Sequence, residues 1–385
     1  MKKKKDVGLE HIIKLDISAV RSVREIYNKF VNKYGQEKAK EIMNNIYGQE
    51  EMITKIGYDK KNEDYDISMI FSGSYDADIV RKACNWIYDH KEEFGDEILE
   101  IGCDCGFMTT FLGVLFPEKH ITSIDRNQSG IDIAKKNVEK LGIKNVDFIC
   151  TDACEIKDKK FDTVFSMRTM HENETEKVKE KGYYELVELS DMFEKGLQDY
   201  SNCLSNLLKE GGTLVSIERL DYNSLFLAWI SAVTKSGLKI DLDSYNMLEC
   251  MEVGMNSKFQ ALVFRKADCS EVDSFMSFMN CFATNVDTSQ PCYKAWEAKI
   301  MCEYSKGTML DGVEIEDINN DAKSRTLCFI HKDDETCVAL YSNNNGNVII
   351  EYHDIAQKEA ILDAISAAVQ QAKENGFSVK KLELE

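Results

Sequence analysis

The stretch Ile98-Leu-Glu-Ile-Gly-Cys-Asp-Cys-Gly106, which runs directly into residues 107–116 with helical spacing, constrains this chain more than any other feature. Residues 98–101 suit a strand buried on both faces, and Gly102 and Gly106 let the backbone turn sharply and come close to a ligand. The next strand-like run, 121–125, ends on Asp125, 19 residues beyond Gly106. A strand, a glycine turn, a helix and a second strand ending in an acid is an arrangement in which a carboxylate grips ribose hydroxyls. The expectation is therefore a nucleoside-bearing cofactor on an α/β sheet.

The residues exclude two rival nucleotide sites. A phosphate-cradling loop needs a Lys-Ser/Thr pair after its second glycine, and Gly106 is followed by Phe107-Met108. A dinucleotide site wants a third glycine, which 107–110 do not supply. What remains, Glu100-x-Gly102-x-x-x-Gly106, resembles motif I of class I S-adenosylmethionine-dependent methyltransferases. The resemblance extends over about 97–266. The run 121–125 precedes the helix-patterned 129–141, 146–151 leads to Asp152-Ala153, 161–167 is similar to motif IV, and 208–217 is similar to the fifth strand. Two later runs, 247–253 and 259–265, separated by Gly254-Met-Asn-Ser-Lys258, are expected to form the antiparallel hairpin that closes this family's sheet.

The resemblance implies a doubly wound, seven-stranded α/β sheet that binds S-adenosylmethionine. It implies that Glu100 holds the methionine ammonium directly or through water and that the 102–106 turn, with Cys103, lies along the methionyl and ribose portion. It further implies that Asp125 accepts from both ribose hydroxyls and that Asp152 with the Ala153 amide reads adenine. Arg126, Met167 and Tyr75 complete the candidate cofactor contacts. The methyl of the cofactor is already activated, so positioning supplies much of the acceleration and a general base is optional.

The fourth strand continues as Ser166-Met-Arg-Thr-Met-His-Glu-Asn173 and lacks the Asn/Asp-Pro-Pro-Tyr/Phe of amide and nucleobase N-methyltransferases. That departure favours a small-molecule or side-chain acceptor. His171 has a side chain suited to deprotonating a hydroxyl or thiol, and Arg168 one suited to holding an anion. Each has a plainer reading: His171 as a packing or hydrogen-bonding residue, Arg168 as an ion-pair partner of Glu172 or a nearby acid. The polar segment 172–182 reads as a lid or as an exposed first helical turn, followed by Tyr183 and Tyr184 on a helix reaching Leu208.

Ahead of the cofactor region, Val20, Val23, Ile26, Tyr27, Phe30, Val31 and Tyr34 recur at helical spacing, and Ile42, Met43, Ile46, Tyr47, Ile53 and Ile56 mark a second helix. A polar break at 58–66 follows, and then Ser74 is expected to cap the helix carrying Ile79, Val80, Ala83, Trp86 and Ile87. In small-molecule methyltransferases helices in this position commonly fold over the substrate cleft, and by that resemblance Phe71 and Tyr75 line the methyl-donor pocket; the plainer reading of either is ordinary helix packing. After about residue 267, Phe275, Phe278, Met279, Phe282, Trp296 and Ile300 point to helices. Strands are expected at 326–330, 337–341 and 348–352, a helix at 356–375 and a last strand at 378–384, with turns at Asp333-Asp334 and 343–347. This part is similar to WGR-type modules only faintly, because the Trp-Gly-Arg signature is absent. The expected organisation is an N-terminal helical region (1–94), a methyltransferase domain (95–266) and a C-terminal α+β domain (267–385).

Composition bounds the partners. A formal net charge of -19 works against a nucleic-acid substrate, since the short basic patches at 135–136, 157–160 and 177–181 are interleaved with acids. With 43% hydrophobic and 30% charged residues, no stretch approaches a membrane span, and Met1-Lys-Lys-Lys-Lys-Asp6 lacks the apolar core of a signal peptide, its lysines reading as a tail. Thirteen cysteines without a regular framework read as reduced thiols in a cytoplasmic protein. Cys103-x-Cys105 and Cys150-x-x-x-Cys154 lie beside cofactor turns without finger or ribbon spacing, so no metal site is expected. The expected activity is methyl transfer to an O, N or S nucleophile of a small molecule. The alternatives are a peptide or protein acceptor and a cofactor-binding regulatory or scaffold protein without turnover; a homodimer could complete the acceptor site.

Overall fold

A computed structural model of the chain describes residues 5–47, 55–173, 186–220, 223–285, 307–331, 333–343 and 348–382. They fall into two compact units, one reaching from the N-terminal helices to Ser274 and the other built mainly on residues from Phe275 onward. Among the described residues no helix is long and apolar enough to cross a membrane.

The first unit carries a sheet of strands β1 (Glu97–Ile101), β2 (His120–Asp125), β3 (Val146–Cys150), β4 (Phe161–Met167), β5 (Leu208–Glu218), β6 (Leu238–Glu252) and β7 (Met255–Lys266). They are hydrogen-bonded in the order β3-β2-β1-β4-β5-β7-β6. The first five run parallel, and β7 is antiparallel to both β5 and β6. This is the expected doubly wound α/β sheet. The strand order reverses between β1 and β4, which opens a crevice at their carboxyl ends.

Helices α1 (Val7–Leu15), α2 (Val23–Tyr34), α3 (Gln36–Tyr47), α4 (Lys55–Lys61) and α5 (Tyr65–Asp89) precede β1; α6 (Phe107–Leu115) and α7 (Gln128–Lys140) connect the first three strands, and α8 (Leu186–Leu207) and α9 (Asn223–Lys235) follow β4 and β5. One face of the sheet, including Ile98, Ile121, Phe165, Val215 and Val263, is buried in a common core with Leu15 of α1, Phe111 of α6 and Ile79, Ala83 and Ile87 of α5. Each fully buried isoleucine contributes about 1.5–3 kcal/mol. The Trp86 indole donates to the Ser244 carbonyl at 3.1 Å and ties α5 to β6.

Three local expectations give way here. Ser74 lies inside α5, whose N-cap is Asp64; its hydroxyl donates to the Ile70 carbonyl at 2.6 Å and receives Lys29 Nζ at 3.1 Å, so a residue with capping chemistry is satisfied within the helix. The polar stretch at 58–66 is largely helical, as α4 and the start of α5, because its charges are used in the crevice. Glu252 pairs with Met255, so the hairpin turn is Val253-Gly254, two residues at φ 50° and 85°, instead of the five-residue break expected at 254–258. Two successive left-handed residues match the twist of a two-residue hairpin, which lets both strands run longer than their apolar stretches. Helix α1 has no counterpart in the sequence reading.

The second unit contains a five-stranded antiparallel sheet, ordered β11-β10-β9-β8-β12, from β8 (Gly307–Asp317), β9 (Ala322–His331), β10 (Thr336–Asn343), β11 (Val348–Asp354) and β12 (Ser378–Lys381). Helix Lys358–Glu374 packs Ile361 and Ile365 against Val313, Cys328 and Ala339. The four strands and the helix read from the sequence are present, the last strand ending at Lys381, with β8 in addition; α10 (Ser274–Asn285) takes up the 275–282 pattern. Ile53, most of the lid segment 172–182, Tyr183, Tyr184, Trp296, Ile300, most of the 343–347 turn and the N-terminal lysines other than Lys5 lie outside the described residues.

Among the described residues, the reading of the cysteines as free thiols fails at one pair. Cys154, in the 3-10 turn Ala153–Glu155, is joined by a disulfide to Cys203 on α8, with Cα atoms 5.5 Å apart. These residues lie 49 positions apart, so local spacing carries no trace of the pairing.

Candidate functional site

The crevice at the carboxyl ends of β1 and β4 opens into a cavity of about 740 Å³. The turn after β1 forms its floor. The Gly102 and Cys103 amides both donate to the Ile124 carbonyl, at 2.8 and 3.0 Å, and the Gly106 amide donates back to the Cys103 carbonyl at 2.7 Å. Gly102 and Gly106 have φ of 75° and 76°, where a side chain is strained, and a Cβ on Gly102 would lie 2.7 Å from the Thr169 methyl. Gly106 instead serves helix packing. A Cβ there would lie 2.6 Å from that of Ala134 on α7, and the residue lines neither this cavity nor the smaller one beside it.

Asp125 ends β2 at the cavity wall. Its Oδ2 accepts from the Asp104 amide and its Oδ1 from the Asn127 amide, both at 2.8 Å, so the carboxylate is aimed by the backbone and keeps further lone pairs for ligand hydroxyls. Burial raises its pKa. Glu100, fully buried on β1 yet lining the cavity, accepts from Ser123 Oγ at 2.6 Å; burial lifts its carboxyl to about 7, against the pull of that hydrogen bond. Asp152 and Ala153 line the adjoining cavity of about 50 Å³ together with Asp125, Arg126 and Tyr200. Asp152 Oδ1 caps its own turn at the Cys154 amide, 2.9 Å away, and Oδ2 lies 3.8 Å from Arg126.

Helix α4 closes over this floor. Lys61 Nζ sits 2.6 Å from Asp104 Oδ2, and Asn62 donates to Asp104 Oδ1 at 2.9 Å. Burial opposes the Lys61 charge, but attraction to Asp104 outweighs it and raises the lysine pKa. Asp104, held at φ 40°, is thus clamped at the centre of the turn. One helical turn earlier, Tyr58 donates to Glu172 Oε1 at 2.7 Å, and Arg126 pairs with the other oxygen of Glu172 at 2.8 Å. Helix α4, β2 and the segment after β4 are linked across the cavity mouth.

The opposite wall carries the remaining candidates. Met167, Arg168 and His171 line it from the end of β4, with His171 exposed at the surface. Arg168 has φ 60° and pairs with Asp76 on α5 at 2.5 Å, so its ion-pair partner is a nearby acid other than Glu172. Tyr75 is half-buried, with its hydroxyl 2.7 Å from that of Tyr47. Behind the 167–172 segment, Glu218 at the end of β5 accepts from Ser166 Oγ at 2.6 Å and from the Met170 amide at 3.1 Å; burial raises its carboxyl to about 7. Thr169 bridges Ser166 and Tyr200, each 2.7 Å away. This buried polar network sets the position of the loop that carries Arg168 and His171.

The family described as "Methyltransferase domain" matches residues 92–240, which contain the whole cofactor floor. Over these residues the chain is similar to methyltransferase domains and consistent with class I. S-adenosylmethionine is the cofactor of that class. Curated relatives match over short stretches. A malonyl-[acyl-carrier protein] O-methyltransferase of Bacillus cereus is 36% identical over 81 residues, 21% of this chain and 29% of that protein. A protein-L-isoaspartate O-methyltransferase of Thermotoga maritima is 33% identical over 89 residues, 23% and 27% of the two chains. This chain thus covers less than a third of either relative's length. The solved magnesium protoporphyrin IX methyltransferase of Synechocystis aligns with 62% of this chain and 94% of its own, at 15% identity and a TM-score of 0.35.

Glu100, Gly102, Cys103, Asp125, Arg126, Met167, Arg168 and His171, with Tyr75 from α5, surround one cavity, and Asp152 and Ala153 line its neighbour. The sequence reading overlooked Tyr58, Lys61, Asp104, Asp76, Arg219 and Glu252, all of which line the main cavity. Asp104 stood in the middle of the glycine turn, and Tyr58 and Lys61 at i, i+3 helical spacing, so these three carried a signal. Asp76, Arg219 and Glu252 meet only through the tertiary fold.

Proposed function

We propose that this chain transfers the methyl group of S-adenosylmethionine to an O, N or S nucleophile of a small molecule. The carrying observation is that one cavity of about 740 Å³ is lined on one side by the glycine turn and Asp125 and on the other by polar side chains from α5 and the ends of β4, β5 and β6. That volume falls in the range of small-molecule sites, roughly 300–1,000 Å³. The donor set fits the cofactor: Gly102 leaves the approach that a Cβ would fill, Asp125 presents a braced carboxylate to a ribose diol, and Glu100 a buried carboxyl to an ammonium.

The bound cofactor would supply an electrophilic methyl on a sulfonium sulfur. The protein's own part is alignment and exclusion of water, which together account for much of the acceleration in such displacements. Phe71, Tyr75 and Met167 provide apolar walls, Arg168 is fixed by Asp76, and His171 at the mouth receives the proton that the acceptor nucleophile gives up. A peptide acceptor is the second reading, favoured by the protein-L-isoaspartate acceptor in the name of the Thermotoga relative. Incubation of the full chain with methyl-labelled S-adenosylmethionine and separated metabolite and protein extracts decides among the readings. Label in the metabolite fraction supports the proposal, label in protein favours the second reading, and cofactor binding with no label in either leaves a binding protein without turnover.

A further inference from the structure

We propose that Arg219 and Glu252 form a recognition site for an aminocarboxylate, an ammonium and a carboxylate carried on the same methyl acceptor. The inference rests on the methyltransferase reading and names the chemistry of the acceptor end. Arg219 follows β5 and Glu252 ends β6, so both stand at the carboxyl edge of the sheet, and both line the main cavity. One guanidinium nitrogen of Arg219 contacts Glu252 Oε2, while Arg168 lies 3.7 Å from Glu252 Oε1 and pairs at 2.5 Å with Asp76.

Among the described residues, two polar atoms of this cluster are buried without a hydrogen-bond partner: Arg219 Nε, a donor, and Glu252 Oε1, an acceptor whose neighbouring charge, Arg168, is 3.7 Å away. Such atoms are uncommon, because leaving a buried polar group unmatched is costly. Their complement is a ligand offering one acceptor and one donor. Formal charges choose the form of that ligand. Arg168 and Arg219 balance Asp76 and Glu252, so a lone carboxylate would meet two acids and a lone amine two guanidiniums. A zwitterion places its carboxylate against Arg219 and its ammonium against Glu252 and satisfies both.

The cluster is held in place. Both guanidiniums lie over the buried Phe259 ring, 5.2 and 6.0 Å from its centroid. Val253, next to Glu252, is buried among Ile67, Phe71 and the α2 and α3 core residues. Arg219 Nε and Glu252 Oε1 are shut off from solvent as the cluster stands, so a ligand reaches them by a side-chain shift that opens the Arg219–Glu252 pair.

The cofactor's methionine end is also an aminocarboxylate, and saturation with S-adenosylhomocysteine separates the two sources. The floor and Asp125 belong to β1 and β2, whereas β5 is two places and β6 four places from β1 in the sheet. The side chains of Arg219 and Glu252 nevertheless converge toward Arg168 at the end of β4, so occupancy of the cofactor position, set by saturating it, is what tells the two sources apart.

The test uses the full chain saturated with S-adenosylhomocysteine and titrated calorimetrically with matched sets: each common amino acid, the amine lacking its carboxylate and the acid lacking its amine. At least one amino acid should bind roughly ten- to a hundredfold more tightly than both of its partners. Glu252→Gln and Arg219→Gln should erase that preference while leaving S-adenosylhomocysteine affinity unchanged. Equal binding within every set, or no binding of any member, overturns the proposal without needing a variant. An equal loss of S-adenosylhomocysteine affinity in the variants assigns the pair to the cofactor and overturns it as well. Failure of the wild type to bind S-adenosylhomocysteine brings down the cofactor reading first, and the proposal with it.

Discussion

Replacing Asp125 by alanine separates the two roles the structure gives that residue. Its carboxylate braces the turn by accepting from the Asp104 and Asn127 amides, at 2.8 Å each, and the remaining lone pairs face the cavity. Loss of the brace leaves two half-buried amides to find water, at about 0.5–1.5 kcal/mol apiece, so unfolding stability should fall by about 1–3 kcal/mol. Loss of charge-assisted bonds to a ribose diol costs a further 1.5–3 kcal/mol of binding, about one to two decades in affinity for S-adenosylhomocysteine. Urea denaturation measures the first effect and calorimetry the second. A 2′-deoxy analogue of S-adenosylhomocysteine resolves them: the wild type should bind it more weakly than the parent ligand, and Asp125→Ala should hardly distinguish the two. A folded variant with unchanged affinity, or one that still prefers the ribose form, refutes the assignment.

Other outcomes follow from the same geometry. Lys61→Met leaves Asp104 with the neutral donors Asn62, at 2.9 Å, and the Cys105 thiol, at 3.3 Å; the Lys61 and Asp104 side chains are 14% and 27% exposed, between surface and buried ion pairs, so a stability loss of about 1–3 kcal/mol is expected in urea denaturation, and an unchanged midpoint contradicts it. Glu100 has its carboxyl raised to about 7, so its contribution to stability is full below the unfolded value of about 4.3 and is lost as pH rises through 7. A ligand ammonium favours the ionised form, so binding of S-adenosylhomocysteine near pH 6.5, at about half a unit below that carboxyl's value, should release protons and strengthen toward pH 8. Calorimetry in buffers of different ionisation heat detects the release; proton uptake, or release that survives in Glu100→Gln, removes Glu100 from the ammonium. His171→Ala should lower turnover by about 10² to 10⁴ with little change in cofactor affinity, whereas near-normal turnover leaves catalysis to alignment alone.

What the chain announced in advance was the part whose chemistry is local. The glycine turn, Asp125 and Asp152 follow consecutive strand ends, and the topology of a parallel sheet brings consecutive strand ends to one edge. The acceptor wall obeys a different logic. Arg168 meets Asp76, 92 residues away, and Arg219 meets Glu252, 33 residues away, because α5 crosses the sheet and the hairpin turns at Val253-Gly254. Neither pairing leaves a periodic trace. The polar stretch at 58–66 misled for a related reason: charged residues usually mark solvent-facing loops, yet here Tyr58 and Lys61 point into the crevice and are satisfied by Glu172 and Asp104. Ser74 misled because a hydroxyl that caps a helix can equally bond back within one. The disulfide between Cys154 and Cys203 joins a turn and a helix that only the fold makes adjacent.

Calorimetric titration of the wild-type chain with S-adenosylhomocysteine, and separately with NAD, tests the central claim that the turn at 102–106 and Asp125 form an S-adenosylmethionine site. The account expects saturable binding of S-adenosylhomocysteine at one site per chain, with NAD much weaker. Tighter binding of NAD, or no binding of S-adenosylhomocysteine by the folded protein, would contradict it.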